Sequence, residues 1–121
     1  MDKFNIKDSH PNISRLEKLF LEEGVLTKFK KNEYLVRQNE KTNQIGFIMS
    51  GMFRLSHIDA DAHEWIVGYS FVNDFVCDYP SFIKQATSTV NIQANTECEV
   101  YLLSLNHVCR DIPTLIRLLL R

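Results

Sequence analysis

The apolar residues near the start of the chain recur with the period of a helix. They share one stripe, which is formed by Ile13, Leu16, Leu19 and Phe20. Asn12 or Ser14 can cap this helix, with Glu17 in capping-box spacing from Ser14. Gly24 ends it, and over residues 25–29 the period becomes two, which indicates that the helix gives way to a β domain.

Further strands are predicted wherever alternation or a short apolar run is bounded by polar turns. Their predicted positions are residues 34–36, 45–49, 52–58, 65–71, 90–94 and 99–103. The run 45–49 is apolar on both faces, which predicts a strand that is buried on both sides. Residues 90–94 alternate apolar side chains with the polar Asn91 and Gln93, which predicts a strand with one buried face.

Helical signals return near the end of the chain. Ser104 can cap a short helix over residues 105–110, and Pro113 starts another. The second helix carries an apolar stripe, which consists of Ile112, Leu115, Ile116, Leu119 and Leu120. Because an apolar stripe needs a partner, we expect this helix to pack against a second copy of the chain or to continue in a longer protein.

The spacing of the strands decides the fold class. Short strands roughly every eight to twelve residues, separated by turns, favour an antiparallel barrel or sandwich over a parallel sheet. The predicted fold is therefore mainly β: a double-stranded antiparallel β-barrel of jelly-roll type, with an N-terminal helix and C-terminal helices. With 121 residues, 45% of them hydrophobic, the chain can bury one core, and we assign residues 1–121 to one domain.

Charge and cysteine content exclude several classes of protein. The formal net charge of -1 gives the chain no overall attraction for DNA or anionic lipid. No stretch has the length of a signal peptide's apolar core or the ~20 apolar residues of a membrane span, so we expect a cytoplasmic protein that does not contact membranes. Cys77, Cys98 and Cys109 follow no disulfide or metal-binding spacing. We interpret them as reduced, mostly buried thiols, with a redox-sensing Cys77 as the alternative.

Three blocks of sequence form an ordered set: IGFIMSG at 45–51, NDFVCD at 73–78 and ANTECEV at 94–100. In order and spacing they resemble the cyclic-nucleotide-binding domain, and most closely the sensor half of the Crp/Fnr transcription regulators. The likeness extends over residues 12–121. Asn32, Asn39 and Asn73 stand in turns where this family commonly has Gly, and Asn is the non-glycine residue that best tolerates a positive φ.

The resemblance also implies which residues would meet a ligand. In family members that bind cyclic AMP, a Glu accepts a hydrogen bond from the ribose and an Arg ten residues later pairs with the cyclic phosphate. The resemblance places Asp78 at the Glu position and Ser88 at the Arg position, beside the uncharged Thr89. Because a buried phosphodiester needs a fixed positive charge or several convergent donors, we predict that cyclic AMP is not the effector.

The candidate ligand pocket lies on the insertion between two strands and comprises Asp78, Tyr79, Phe82, Lys84, Ser88 and Thr89. Lys84 could supply a replacement charge, although a flexible ammonium does not reproduce the guanidinium fork. Asp78 could instead cap a helix ahead of Tyr79. Aromatic residues near the site in sequence, which are Phe71, Phe75, Tyr79 and Phe82, either line a pocket for a different ligand or fill the space of the nucleotide. We favour the filled pocket.

Other chemistry finds little support in the sequence. A metal-binding barrel of the cupin type needs three histidines and an acid that converge. His57 and His63 flank one hairpin and could approach each other, but no acid and third histidine follow at a suitable place. Motifs for nucleophilic, phosphate-binding or dinucleotide chemistry are missing, so we predict no enzymatic activity, no metal and no cofactor.

The favoured interpretation is the effector-sensing and dimerising domain of a bacterial transcription regulator. The family resemblance implies that the helix starting near Pro113 packs against its mate through Leu115, Ile116, Leu119 and Leu120 and leads into a DNA-binding domain outside this chain. The expected partners are a small-molecule effector, a second copy of the chain, and DNA through that missing domain. Two alternatives stay open: a stand-alone β-barrel interaction module without a nucleotide ligand, and a cupin-like metal-binding barrel.

Overall fold

The apolar stripe at the start of the chain forms the predicted helix, α1 (Ile13–Glu23). Leu16, Leu19 and Phe20 point into the core and are at most 8% exposed. Gly24 ends α1 as predicted, because its amide donates to the carbonyl of Phe20 (2.9 Å) and a Cβ at this position would lie 2.5 Å from that oxygen. The structure is a computed structural model that describes residues 13–78, 81, 84 and 86–111, so Asn12 and the helix predicted from Pro113 lie outside it.

Eight strands and a short helix follow α1 in the described part of the chain. They are β1 (Val25–Phe29), β2 (Tyr34–Val36), β3 (Gln44–Ser50), β4 (Phe53–Ile58), β5 (Glu64–Ser70), β6 (Phe75–Val76), β7 (Asn91–Ala94), β8 (Cys98–Ser104) and α2 (Leu105–Asp111). The hydroxyl of Ser104 accepts the amide of His107 (3.1 Å), so Ser104 caps α2 as predicted. Neither α1 nor α2 has the length and apolar character that a membrane crossing requires.

The strands form two four-stranded sheets, with the orders β1-β8-β3-β6 and β2-β7-β4-β5. All of the strand pairs in both sheets are antiparallel. Only β4 and β5 are neighbours in both sequence and sheet, and the other pairs join strands that are distant along the chain. This is a jelly-roll-like arrangement, and the prediction of a mainly β fold with few helices is confirmed.

Strand β3 lies between two hydrophobic clusters. Ile45 and Phe47 face the cluster beneath α1, whereas Ile48 belongs to the cluster between the two sheets. Phe53 and Ile92 of the opposite sheet complete that second cluster and are 0% exposed. Strand β3 is thus buried on both sides and contributes to both clusters, as its doubly apolar run predicted, and β6 and β8 also place residues in both. Each of these side chains contributes about 1.5–3 kcal/mol on burial.

Three asparagines hold left-handed backbone in turns. The φ angle is 76° at Asn32, 71° at Asn39 and 72° at Asn73, which confirms the prediction for all three positions. Gly51, between β3 and β4, has a φ of 84°, and a Cβ there would lie 2.3 Å from the carbonyl oxygen of Glu97. This turn therefore requires glycine for both its backbone angle and its space.

The expectation that β7 has one buried face is wrong, because the strand is buried on both faces. Asn91 and Gln93 are only 7% and 9% exposed. The side-chain oxygen of Asn91 accepts the amide of Gln38 (2.8 Å), and Gln93 accepts from Arg54 (2.6 Å) while donating to the backbone carbonyl of Asn32 (2.9 Å). Polar side chains that find such partners can be buried, so alternation in polarity does not report exposure here.

Strand β5 departs from expectation in the opposite direction. It lies at the edge of its sheet, and its apolar residues are 40–59% exposed: Trp65, Ile66, Val67 and Tyr69. Gly68 and Ser70 pair with the buried Leu55 and Phe53, and the register shifts after Leu55. The alternation thus predicted a strand correctly, but its large apolar side chains face solvent rather than the core.

Candidate functional site: a buried carboxylate among donors

Asp78 follows strand β6 by two residues and lies at the centre of the candidate site. Its side chain is fully buried, with 0% exposure. Moving a carboxylate from water into a protein interior is unfavourable by several kcal/mol unless hydrogen-bond donors replace its water. The partners of this carboxylate therefore decide what the site can do.

The carboxylate of Asp78 accepts hydrogen bonds from two segments of the chain. Ser81 donates its amide to Oδ1 (3.2 Å) and its hydroxyl to Oδ2 (2.9 Å). The Ser88 hydroxyl lies 2.8 Å from Oδ2 and 2.8 Å from the carbonyl oxygen of Val90, so two acceptors share its single proton. Thr89 donates its amide to Oδ2 (3.0 Å). None of the ion pairs among the described residues includes Asp78. Within the described ranges, hydroxyl and amide dipoles rather than a basic side chain surround this carboxylate.

Residues 88 and 89 are also held by backbone bonds that do not involve Asp78. The amide of Ser88 donates to the carbonyl of Glu40 (2.8 Å), and its carbonyl accepts the amide of Asn39 (2.8 Å). The carbonyl of Thr89 lies 2.9 Å from Nδ1 of His57 on β4. Because a carbonyl only accepts, Nδ1 must carry the proton of this bond. The 39–40 turn and β4 thus fix the donors that face Asp78.

Three of the predicted pocket residues, Asp78, Ser88 and Thr89, are brought together by the fold. Lys84 is exposed and forms no ion pair with Asp78. The remaining predicted residues lie outside the described part of the chain: Tyr79, Phe82, Leu115, Ile116, Leu119 and Leu120. Ser81 was not named among the pocket residues, but the bond from its amide to Oδ1 is the bond expected from the alternative in which Asp78 caps a helix.

Two of the four aromatic residues near Asp78 in sequence, Phe71 and Phe75, lie in the described part of the chain, whereas Tyr79 and Phe82 lie outside it. Phe75 stacks on Phe47 with ring centroids 4.6 Å apart and meets Phe20 edge-on at 5.3 Å, so it belongs to the cluster beneath α1. Phe71 is 54% exposed. The expectation that these two rings line or fill the pocket is therefore wrong. Among the described residues, the side chain of Asp78 itself fills the space next to Ser88.

The tip of the β4–β5 hairpin brings a second polar group together, since ligand atoms of Asp59, Asp61 and His63 lie within 4.8 Å of one another. The Asp59 carboxylate is already engaged by the amides of Asp61 (2.9 Å) and His63 (3.0 Å) and by the indole of Trp65 (2.8 Å). The Trp65 hydrogen bond, followed by that of the His63 amide, lowers the pKa of Asp59 below its ordinary 3.8. These contacts stabilise the tip of the hairpin.

A cleft of about 500 Å³ opens beside β1 and β8. Its charged lining residues are Lys28, Lys30, Glu97 and Glu99, so the cleft carries no net charge that would attract an anionic ligand. Cys98 lines it but is 2% exposed, and Cys77 is 0% exposed. The expectation of reduced, buried thiols is confirmed for these two cysteines, which form no disulfide, and this burial disfavours a redox-sensing Cys77.

Sequence comparison places this fold in a family. Residues 26–110 match the cyclic nucleotide-binding domain, and the chain belongs to that family. Comparison with curated protein sequences gives no significant match.

Solved structures with the same fold include regulators of several kinds. The regulatory subunit of a cAMP-independent protein kinase A from Trypanosoma brucei is 21% identical, with a TM-score of 0.76 over 92% of this chain and 42% of that one. The sensor domain of the transcriptional regulator DNR from Pseudomonas aeruginosa is 18% identical, with a TM-score of 0.72 over 88% of this chain and 71% of that one.

The c-di-GMP responsive regulator CLP from Xanthomonas campestris is also 18% identical, with a TM-score of 0.71 over 88% of this chain and 55% of that one. The structural neighbours thus include transcription regulators of the Crp/Fnr type. The chain spans between 42% and 71% of the length of the three proteins. At these identities the similarity establishes the fold alone.

The geometry at Asp78 contrasts with the needs of a cyclic phosphate. A buried phosphodiester requires a cation or several unengaged donors. Here the hydroxyls of Ser81 and Ser88 and the amide of Thr89 already point at a carboxylate of the chain itself. These donors are therefore engaged while the carboxylate of Asp78 is in place.

Proposed function

We propose that this chain is the effector-sensing and dimerising domain of a Crp/Fnr-like bacterial transcription regulator, and that cyclic AMP does not switch it. One observation carries the second part: Ser88, which stands at the family's arginine position, donates its hydroxyl to the buried carboxylate of Asp78. In this proposal the domain works in the cytoplasm, has no enzymatic activity and needs no resident cofactor.

Two effects weaken the binding of cyclic AMP in this proposal. Loss of an arginine that pairs with a buried anion weakens binding by about 2–5 kcal/mol, or roughly 30- to 4,000-fold in affinity. The carboxylate of Asp78 has a second effect, because it already accepts the hydroxyl of Ser88 and the amide of Thr89 and so leaves these donors unavailable to replace the arginine. Together these effects remove the affinity that a micromolar cyclic AMP sensor requires.

The neighbouring structures support an effector other than cyclic AMP. The Xanthomonas regulator responds to c-di-GMP, and the trypanosome subunit belongs to a cAMP-independent kinase. The same fold therefore serves regulators with different effectors. We accordingly propose that the effector is a small molecule other than cyclic AMP.

The dimerisation and DNA-binding parts of the proposal depend on the sequence after α2. The apolar stripe at Leu115, Ile116, Leu119 and Leu120 has the spacing of a helix that packs against its mate. DNA would be bound by a further domain, since the net charge of -1 gives this chain no attraction of its own. The reading frame tests this part: continuation into a helix-turn-helix segment is expected, and a stop codon directly after Arg121 would contradict it.

Calorimetric titration with cyclic AMP and cyclic GMP tests the ligand part. We expect no binding by the parent chain at millimolar nucleotide. The double variant Asp78→Glu/Ser88→Arg restores both family positions and should bind, whereas the control Thr87→Arg adds the same charge at an exposed neighbouring residue and should not. Micromolar binding by the parent would refute the proposal, and silence of the double variant would favour the second candidate below.

The second candidate is an interaction module, and the exposed apolar side chains of β5 favour it. With the adjoining Phe71 and Val72, six large apolar side chains are 40–59% exposed along this sheet edge, and large exposed apolar patches mark association surfaces. We assign a second copy of this chain as the occupant, because free edge strands can pair around a twofold axis. Sedimentation should then show a dimer that Val67→Lys abolishes and the control Leu21→Lys, on α1, preserves. A monomeric parent would exclude this candidate.

A further inference from the structure

The donors that surround Asp78 define a binding site of their own. We propose that Ser81, Ser88 and Thr89 form an oxyanion site whose built-in occupant is the Asp78 carboxylate, and that a small free carboxylate binds there once this side chain is removed. The inference deepens the proposed insensitivity to cyclic AMP, but it does not depend on a role in transcription.

The chemistry of the cage selects an anion. Three donors converge on the single oxygen Oδ2: the Ser81 hydroxyl at 2.9 Å, the Thr89 amide at 3.0 Å and the Ser88 hydroxyl at 2.8 Å, whose proton is shared with the Val90 carbonyl at 2.8 Å. The Ser81 amide serves Oδ1 at 3.2 Å, and the Thr89 hydroxyl lies 3.4 Å from Oδ2. Because convergent donors are matched by an oxygen that only accepts, a carboxylate is the complementary group.

The cage is held in place independently of its occupant. Ser88 is bonded through its backbone to Asn39 and Glu40, and the Thr89 carbonyl is bonded to His57. The carbonyl of Ser81 accepts the amide of Ala86 (2.9 Å). Removal of the Asp78 side chain therefore leaves the donors near their present positions, which is the condition for a free anion to replace it.

Burial sets the size of the acceptable ligand. Asp78 is 0%, Ser88 1% and Ser81 4% exposed, whereas Thr89 is exposed, so the site is buried on the side of the serines and removal of the Asp78 side chain releases the space of one carboxylate there. Formate fits this space. In the parent chain the occupant is covalently attached, which gives it an effective concentration that a dissolved anion cannot match. The Tm of the parent should accordingly be the same in formate and in chloride.

Thermal unfolding of Asp78→Gly, followed by circular dichroism in sodium formate and in sodium chloride of equal ionic strength, tests the proposal. The variant should be less stable than the parent in chloride. Formate should raise its Tm along a saturation curve, by about 5 °C at ten times the dissociation constant. Asp78→Asn keeps the site filled and should show no such rise.

A second control removes a different carboxylate from the same region. Asp74 accepts the amide of Phe71 (2.7 Å) but is partly exposed, so Asp74→Gly leaves no enclosed site for formate. Equal effects of formate on all variants, or no effect on Asp78→Gly, would overturn the proposal. If Asp78→Gly is unfolded in chloride, formate should restore its strand signal, and failure to do so would equally overturn it. No cyclic nucleotide is present, so this result is separate from the calorimetric one.

Discussion

Two fully buried serines provide a matched test of the Asp78 cage. Ser88 is 1% exposed and donates to the carboxylate of Asp78 at 2.8 Å. Ser56 on β4 is 0% exposed, and its hydroxyl has no hydrogen-bond partner among the described residues. Replacement of either serine by alanine removes one buried oxygen, but only Ser88→Ala also removes hydrogen bonds: those to Asp78 and to the Val90 carbonyl (2.8 Å), and the one accepted from the Val90 amide (3.2 Å).

We expect Ser88→Ala to lower the free energy of unfolding by about 2 kcal/mol, because hydrogen bonds to charged groups contribute about 1.5–3 kcal/mol. Ser56→Ala should change it by less than about 0.5 kcal/mol or increase it, since an unpaired buried hydroxyl is unfavourable. For 121 residues, an unfolding entropy of about 2.1 cal/mol/K per residue converts 2 kcal/mol into about 8 °C of Tm.

Urea denaturation followed by far-ultraviolet circular dichroism measures both variants. Circular dichroism is preferred to fluorescence because Trp65, the one tryptophan in the sequence, is 59% exposed on an edge strand. The slopes with urea should agree between variants, so that midpoints report stability alone. Equal losses for the two serines, or a loss below about 0.5 kcal/mol for Ser88→Ala, would refute the view that Ser88 supports a buried charge.

Three further predictions concern turns. Gly51→Ala should lower the free energy of unfolding in urea by more than about 2 kcal/mol, because φ is 84° and the new Cβ would lie 2.3 Å from the Glu97 carbonyl oxygen. An unchanged free energy would refute this. At Asn73, where φ is 72°, replacement by Gly should leave the Tm unchanged, whereas replacement by Ala should lower the free energy of unfolding by about 1 kcal/mol and with it the Tm. Equal Tm values for the two variants would contradict this. The pKa of Asp59 is lowered by its bond to Trp65, so its stabilisation is complete above the unfolded-state pKa and is lost as pH falls through the lower folded value. Asp59→Ala should therefore flatten the acid limb of a Tm-versus-pH profile, and an unchanged limb would count against this role.

Backbone requirements were the most predictable part of this fold. Asn32, Asn39 and Asn73 were assigned positive φ from their turns and the family resemblance, and all three adopt it. A positive φ leaves a local signature in sequence because few side chains tolerate it. Ala62, with a φ of 64°, carries no such signature and was not anticipated.

The faces of the second sheet were less predictable, because burial there depends on distant partners. Asn91 and Gln93 are buried since Gln38 and Arg54 reach them from elsewhere in the chain. Trp65 is exposed since β5 lies at the sheet edge. Polarity patterns describe a residue alone, whereas these outcomes depend on which strands become neighbours.

The candidate site was predictable in its positions and not in its bonding. The resemblance identified Asp78 and Ser88 as positions that would meet a ligand, and in the structure their side chains are hydrogen-bonded to each other. The resemblance did not indicate that the Asp78 carboxylate would itself accept the hydrogen bonds of Ser88 and Thr89. The bond from His57 to the Thr89 carbonyl spans 32 residues and could not be inferred from local spacing.

The central claim is that Asp78 occupies the donors that a phosphate would need. The most direct measurement follows the backbone amide resonances of Ser81 and Thr89 by NMR while cyclic AMP is added to the parent chain. Both amides donate to Asp78, so neither resonance should move at millimolar nucleotide. A saturable shift of either resonance at micromolar cyclic AMP would contradict the claim, because it would mean that the nucleotide displaces the carboxylate.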